Sequence, residues 1–291
     1  MILIKPSFEI IEQEPGFEGI LKQIEKVGRT CYKSEDKIKE GSAKKFVDML
    51  TTNCHGAMLE HGTVYLKVLL SNELVLEDAY GENNSVSVYN RYINNKYSKV
   101  NCRSGLENVF ITDTVEPGYA YITTNLRVLI ENDWTKDLQY LCEPTEYHEK
   151  RITIKFNHDI GCGREILRHR GASFANESTR YCNYIKDKFG NEITCLIPHF
   201  INEENKLEFE EDLTIIENIY FKWIKKGYKA QDARGFLPLF TKSELIVTAF
   251  VSDWKHFFDL RTDIAKTGKP HPDLLQVTNP LYKEFINLKL I

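Results

Sequence analysis

A strand followed closely by a helix narrows the folds open to this chain more than any other feature. From Arg151 to Phe156 apolar and polar residues alternate, so Ile152, Ile154 and Phe156 share one face, the period-two signature of a half-buried strand. Asp159 comes next, and its short carboxylate suits the N-cap of a helix predicted from about Gly161 to Arg168. On that helix Arg164 and Arg168 would share a face. Upstream, Phe17, Ile20, Leu21, Ile24 and Val27 fall at helical spacing in 16–28, as do Phe46, Val47, Met49 and Leu50 in 43–52; Thr63 to Leu70 reads as a buried strand. Downstream, Phe209, Leu213, Ile216, Tyr220 and Trp223 predict a core-facing helix over 208–226. Shorter helices fit 229–236, 243–260 and 272–287, with breaks at Pro238 and Pro270-His-Pro272. Strands early and helices late predict an α+β layer arrangement.

Residues 72–150 differ in character and read as an insertion within a single elaborated domain over 1–291. Gly81-Glu-Asn-Asn-Ser85 is turn-rich, Ser85–Tyr89 and Val109–Thr112 are short strand-like runs, and Tyr121 to Arg127 reads as the start of a helix through Leu129. Hydrophobic residues make up 42% of the 291 and charged residues 27%, which predicts order rather than disorder. A net charge of -4 disfavours a general nucleic-acid or membrane-surface binder, so any anion site must be local. Met1-Ile-Leu-Ile-Lys-Pro6 turns polar too soon for a secretory signal, and no apolar run reaches bilayer length. A cytoplasmic location with no nucleic-acid or membrane partner is expected. Seven scattered cysteines without a Cys-x-x-Cys pair fit reduced thiols.

The chemistry concentrates in Arg168-His169-Arg170-Gly-Ala-Ser173-Phe-Ala-Asn176-Glu177-Ser178-Thr-Arg180-Tyr181. Three adjacent cationic or cationisable side chains repel one another unless water or an anion compensates them. A solvated basic turn is one reading. Arginines, which take phosphate bidentately, together with nearby hydroxyls make a phosphate cradle the other. Such a cradle also suits a non-catalytic nucleotide- or RNA-binding protein that uses Arg168–Arg170 as a clamp. Cys54-His55 follows Asn53 and lacks the surrounding sequence of a cysteine nucleophile, so a packed or inert thiol is the better reading. Gly161-Cys-Gly163 has Ile166 at the third glycine position of a dinucleotide loop and reads better as a tight strand-to-helix turn. His158 and Cys162 have helical spacing for a metal pair, but no second pair completes the set, so no metal is expected.

Arg168-His169-Arg170, seven residues and then Ser178 match, and so resemble, the signature of flavin-dependent thymidylate synthases. The resemblance runs on in chain order. His55 and Glu60-His61 resemble the family's early His-x-Ser/Thr-x-x-Glu-His loop, with Ala57 at the hydroxyl position. Ala233-Arg234-Gly-Phe-Leu237-Pro238 resembles its Ala-Arg-x-x-Leu-Pro element, and His256-Phe-Phe-Asp-Leu260-Arg261 its Asn/His-Phe-x-x-Leu-Arg element; Phe250 to Ser252 lacks the usual Asn-x-Arg. The resemblance implies that family's fold, an antiparallel-rich sheet flanked by helices. It implies methylation of dUMP to dTMP with FAD as cofactor and 5,10-methylenetetrahydrofolate and NADPH as co-substrates, in a homotetramer with shared sites. Carried over by position, His55, Arg168, His169, Arg170, Glu177 and His256 would bind FAD. Glu165, Ser178, Arg180 and Arg234 would hold dUMP, and Arg261 would bind the uracil ring and act in catalysis.

Overall fold

A computed structural model describes residues 1–77, 83–104, 117–185 and 189–291. In chain order the elements are β1 (Ile2–Ile4), β2 (Ser7–Ile11), α1 (Gly16–Tyr32), α2 (Ser42–Thr52), α3 (Gly56–Leu59), β3 (Thr63–Leu69), β4 (Glu73–Glu77), β5 (Asn83–Ser87), α4 (Asn90–Ile93), β6 (Lys99–Arg103), β7 (Tyr119–Asn125) and α5 (Leu126–Glu131). There follow β8 (Arg151–Asp159), α6 (Ile160–Ile166), β9 (Ser173–Asn176), β10 (Thr194–Leu196), α7 (Lys206–Lys225), α8 (Ala230–Ala233), β11 (Lys242–Phe250), α9 (Val251–Arg261) and α10 (Pro272–Asn287). The class is α+β, with antiparallel sheets as expected. The strand-like run Val109–Thr112 and the turn opening at Gly81 lie outside the described residues.

The chain divides into two compact units. One comprises Met1–Ile11, Lys26–Ile38 and Ile152–Ile291; the other comprises Glu12–Glu25 and Lys39–Arg151. The segment 72–150 is therefore folded together with residues before it.

In the first unit a four-stranded sheet has the order β2-β8-β11-β9. β2 is antiparallel to β8, with Ile10 opposite Ile154, and β9 is antiparallel to β11, with Ala175 opposite Ile246. Ile154 and Phe156 of β8 and Leu245, Val247 and Ala249 of β11 form the sheet side of a core. Cys162 and Ile166 of α6, Trp254, Phe257 and Phe258 of α9, and Leu274, Val277, Leu281 and Phe285 of α10 complete it. A smaller core gathers Ile193 and Cys195 near the parallel β1–β10 pair with Leu213 and Tyr220 of α7. The alternation of 151–156 and the periodicity of 208–226 are thus realised as β8 and α7.

Two sequence expectations are corrected. The helix predicted over 243–260 is a strand through Phe250 and a helix only from Val251. Every residue of β11 after Lys242 is buried, and a strand covered on both faces shows no alternation that separates it from a buried helix. For the same reason the helix read from Tyr121 begins at Leu126, after the almost wholly buried β7. In the second unit β3, β7 and β6 form one sheet in that order and β4 pairs with β5. Ile20, Leu21 and Ile24 of α1, Val47 and Leu50 of α2, and Leu126 and Leu129 of α5 pack in a core with Val64, Leu66 and Ile122 of that sheet.

Gly161-Cys-Gly163, expected as a strand-to-helix turn, lies in the first turn of α6, which follows β8 directly. Asp159 caps the helix by accepting from Cys162 N at 2.7 Å, and a Cβ on Gly163 would come within 2.4 Å of His158 Cε1. The second glycine therefore makes room for a buried imidazole. Replacing it should force a repacking that costs about 1–3 kcal/mol. Gly163→Ala is expected to lower the urea midpoint accordingly, whereas Gly235→Ala, with nothing near its added carbon, should leave it within about 0.5 kcal/mol.

Candidate active site

The site is built from the two helices that follow β8 and β11, at the end of α6 with the turn after it and along α9. From β8, α6 runs to Ile166, and the chain then turns through Arg168 and His169, with His169 N donating to Ile166 O at 3.2 Å and Ala172 N to His169 O at 3.1 Å. The helix stops two residues short of the expected Arg168, so Arg168 sits in the turn and not on a face shared with Arg164. A Cβ on Gly171 would meet Asp253 Oδ1 at 3.0 Å; glycine lets the turn pass close to α9 before β9 begins. From β11, α9 carries Asp253, His256, Leu260 and Arg261 to the same place. Between the turn and the helix lies a cleft of about 570 Å³. Arg168, His169, Arg170, His256 and Arg261 all line it, with Phe174, Val247, Ala249 and Phe257 among its apolar walls.

Arg261 is tied at two points. Its Nε donates to His169 Nε2 at 3.1 Å and its Nη1 to Glu165 Oε2 at 2.9 Å. A guanidinium can only donate, so His169 Nε2 must accept, and the imidazole proton lies on Nδ1. Burial, reinforced by the positive charges of Arg261, His256 and Arg168, lowers the His169 pKa to about 4. The ring also packs edge-on against Phe257 at 4.8 Å between centroids. At neutral pH the cleft thus holds a neutral imidazole fixed by an ion-paired arginine, with the exposed Arg168 and Arg170 beside it. Apolar walls with cations alongside fit a flat conjugated ring that carries an anionic tail.

The other sequence-derived residues lie elsewhere. Glu177 is buried at the end of β9, where its N donates to Glu244 O at 2.7 Å and its Oε2 accepts from Glu244 N at 3.1 Å. Ser178 follows, donating its N to Cys31 O at 3.2 Å. Arg180 is exposed, 5.6 Å from the Tyr181 ring centroid, and Arg234 is exposed at the head of a short 3-10 turn, Arg234–Phe236. Glu244 is engaged by Lys33, Lys155 and Lys242. His55 is exposed and precedes α3 in the second unit, where Glu60 pairs with Arg127 and His61 is buried. None of the seven cysteines forms a disulfide among the described residues, and burial pushes the Cys31 and Cys195 thiols up to about 12. Asp253 in the cleft and Lys33 behind Glu177 escaped the sequence reading. Asp253 falls inside the helix expected over 243–260 and Lys33 beyond the one expected over 16–28, positions where a charged residue reads as solvated.

Residues 144–285 match the family described as thymidylate synthase complementing protein. The flavin-dependent thymidylate synthase of Pyrococcus furiosus is 35% identical over 146 residues, 48% of this chain and 59% of that protein. The enzyme of the same name from Pyrococcus abyssi is 33% identical over 102 residues, 34% of this chain and 41% of that one. The chain thus spans about half the length of these curated relatives. A crystal structure of a UMP/dUMP methylase PolB from Streptomyces cacaoi bound with 5-Br dUMP aligns over 99% of this chain and 93% of that chain. Its identity is 16% and its TM-score 0.44, too distant a likeness to place residues.

The His169 environment gives a test by pH. The unfolded imidazole takes its proton near 6.5 and the folded one only near 4. The unfolded state therefore binds more protons between these values, and the contribution of His169 to stability falls as pH drops from about 6.5 towards 4. An NMR titration should place His169 near 4 in the parent. In Arg261→Ala it should rise without regaining the unfolded value, because burial is the larger cause. An unchanged value would mean that Arg261 does not govern this imidazole.

Proposed function

We propose that the protein is a flavin-dependent thymidylate synthase that methylates dUMP to dTMP, with 5,10-methylenetetrahydrofolate as carbon donor and NADPH as source of reducing equivalents. The observation that carries this reading is Arg261, tied to His169 and Glu165 beside a cleft that Arg168 and Arg170 flank, within the segment matching the family. The cleft suits FAD: its apolar walls would take the ring and Arg168 and Arg170 the pyrophosphate, with His169 and His256 alongside and His55 as a further contact. FAD, when bound, supplies the redox chemistry that the side chains lack.

The protein's own part is orientation and charge. Two contacts fix the Arg261 guanidinium before substrate arrives, so little reorganisation remains when negative charge grows on the uracil ring. Held neutral, His169 donates from Nδ1 and adds no fourth full cation to Arg168, Arg170 and Arg261. Ser178, Arg180 and Arg234 would hold dUMP through its phosphate, and Glu165 would act on dUMP and through Arg261. No thiol is needed as nucleophile. A homotetramer in the cytoplasm, with subunits completing one another's sites, fits this reading. Among the described residues no helix is long and apolar enough to cross a membrane. The matches to thymidylate synthases do not favour a non-catalytic phosphate clamp.

Purified protein supplied with FAD should take it up, with a flavin band near roughly 450 nm, and should form dTMP from dUMP only when the folate and NADPH are also present. A protein that stays colourless and makes no dTMP would refute the proposal; RNA binding in its place would favour the clamp. Within a working enzyme, Arg261→Ala should retain FAD but turn over roughly a hundredfold more slowly at saturating dUMP, the usual loss for one electrostatic stabiliser. Arg261→Lys should be impaired too, since it keeps the charge without the two-point contact. Parental turnover in Arg261→Ala would end the catalytic assignment of this residue.

A further inference from the structure

Three successive residues at the C-terminal end of α1 each grip the stretch just after β9. Cys31 O accepts from Ser178 N at 3.2 Å, the Tyr32 and Tyr181 rings lie 5.4 Å apart, and Lys33 Nζ reaches Glu244 Oε2 at 2.5 Å and Glu177 Oε2 at 3.6 Å. Behind them Lys242 bonds both carboxylates, Glu244 Oε1 at 2.5 Å and Glu177 Oε2 at 3.3 Å. Lys155 adds a third ammonium at 2.9 Å from Glu244. The Glu177 side chain is only 2% exposed, so its charge is tolerable there only because it is paired.

The backbone of Lys33 makes the contact more telling. α1 ends in a Schellman motif, with Ser34 N donating to Arg29 O at 3.0 Å and Lys33 N to Thr30 O at 3.2 Å. Lys33 takes the left-handed position with φ of 49°, where glycine is the usual residue because a Cβ is disfavoured. As a cap alone glycine would serve better. What lysine adds is an ammonium delivered to Glu177 and Glu244.

We infer that Cys31, Tyr32 and Lys33 form a clasp that holds the Glu177–Tyr181 segment, with Lys33 the positioning residue that sets Ser178 and Arg180 for the phosphate of the pyrimidine nucleotide. Glu177 is the anchor of this clasp, buried against lysines, and not a cofactor contact. The inference rests on the proposed function insofar as Ser178 and Arg180 meet dUMP. Neither Lys33 nor Tyr32 lines the cleft of Arg168 and Arg261.

The discriminating variant is Lys33→Gly, which relieves the left-handed backbone while removing the ammonium; Lys242 and Lys155 remain on the two carboxylates, so the fold should survive. Its thermal midpoint should stay close to the parent's and FAD uptake should be unchanged. The KM for dUMP should rise about tenfold or more, a loss of one oriented phosphate contact, with kcat at saturating dUMP largely kept. Lys33→Arg should restore most of the affinity. Tyr32→Ala, which removes a half-exposed ring and carries little folding risk, should shift KM in the same direction by less. Amide exchange of a peptide covering 176–182 should quicken in Lys33→Gly, a readout that needs no ligand. If Lys33→Gly matches the parent in dUMP KM and in exchange, the clasp is overturned. If the parent itself neither binds dUMP nor makes dTMP, the proposed function has failed, while unchanged exchange would separately overturn the clasp.

Discussion

Two buried strands that run into helices without an intervening loop constrain everything else in the first unit. β8 passes into α6 at Asp159 and β11 into α9 at Phe250. β8 and β11 are neighbours in the sheet, with Ile160 N on Thr241 O at 3.2 Å at one end and Trp254 Nε1 on Ile152 O at 3.1 Å at the other, so the two helices start at opposite ends of the pair and converge over it. Ile166, Trp254 and Phe257 then close one core over Ile154, Phe156 and Val247. The Arg261 contacts to His169 and Glu165 follow from that convergence, since Glu165 lies in the last turn of α6, His169 just beyond it and Arg261 at the end of α9. Glu165 and Arg261, carried on helices, keep their geometry better than side chains on loops.

Charge in this unit is sorted into two settings. In the cleft, cations dominate and the nearby imidazole answers by staying neutral, its pKa lowered by burial and by Arg261. Behind β9, two carboxylates share three lysines. Burial alone would raise the Glu244 pKa, yet Lys242 and Lys33 outweigh it and hold the carboxyl down to about 2. The first arrangement leaves positive charge for an anionic ligand. The second neutralises its charge internally and serves instead as a fastening.

Legibility in the sequence followed the exposure of each element. β8, whose Lys155 and Asn157 are less buried than Ile154 and Phe156, and α7, with Leu213 and Tyr220 on one stripe, carry polar residues between apolar ones, so their periods show. β11 and β7 are buried on both sides, and the apolar run gave no period. The cap at Asp159 was readable because its chemistry is local. The end of α6 was not: its last turn gives way at Ile166 so that His169 can reach Arg261, a partner 92 residues away in the chain.

The sequence by itself determined the fold class, the helix start that Asp159 caps and the crowding of Arg168, His169 and Arg170 into one triplet. These depend on neighbours along the chain, on hydrophobic period, and on repulsion among adjacent cations. Only the tertiary structure decided which of the remaining signature residues share a cleft. His256 and Arg261 join the triplet there, while Glu177 turns into a buried lysine cluster and Lys33, conspicuous in no motif, meets it. The reason is the pleat and the pairing register. β9 lies against β11 so that Asn176 faces Leu245, which brings Glu177 to Glu244 and directs its carboxylate to ammonium groups that no spacing along the chain reveals.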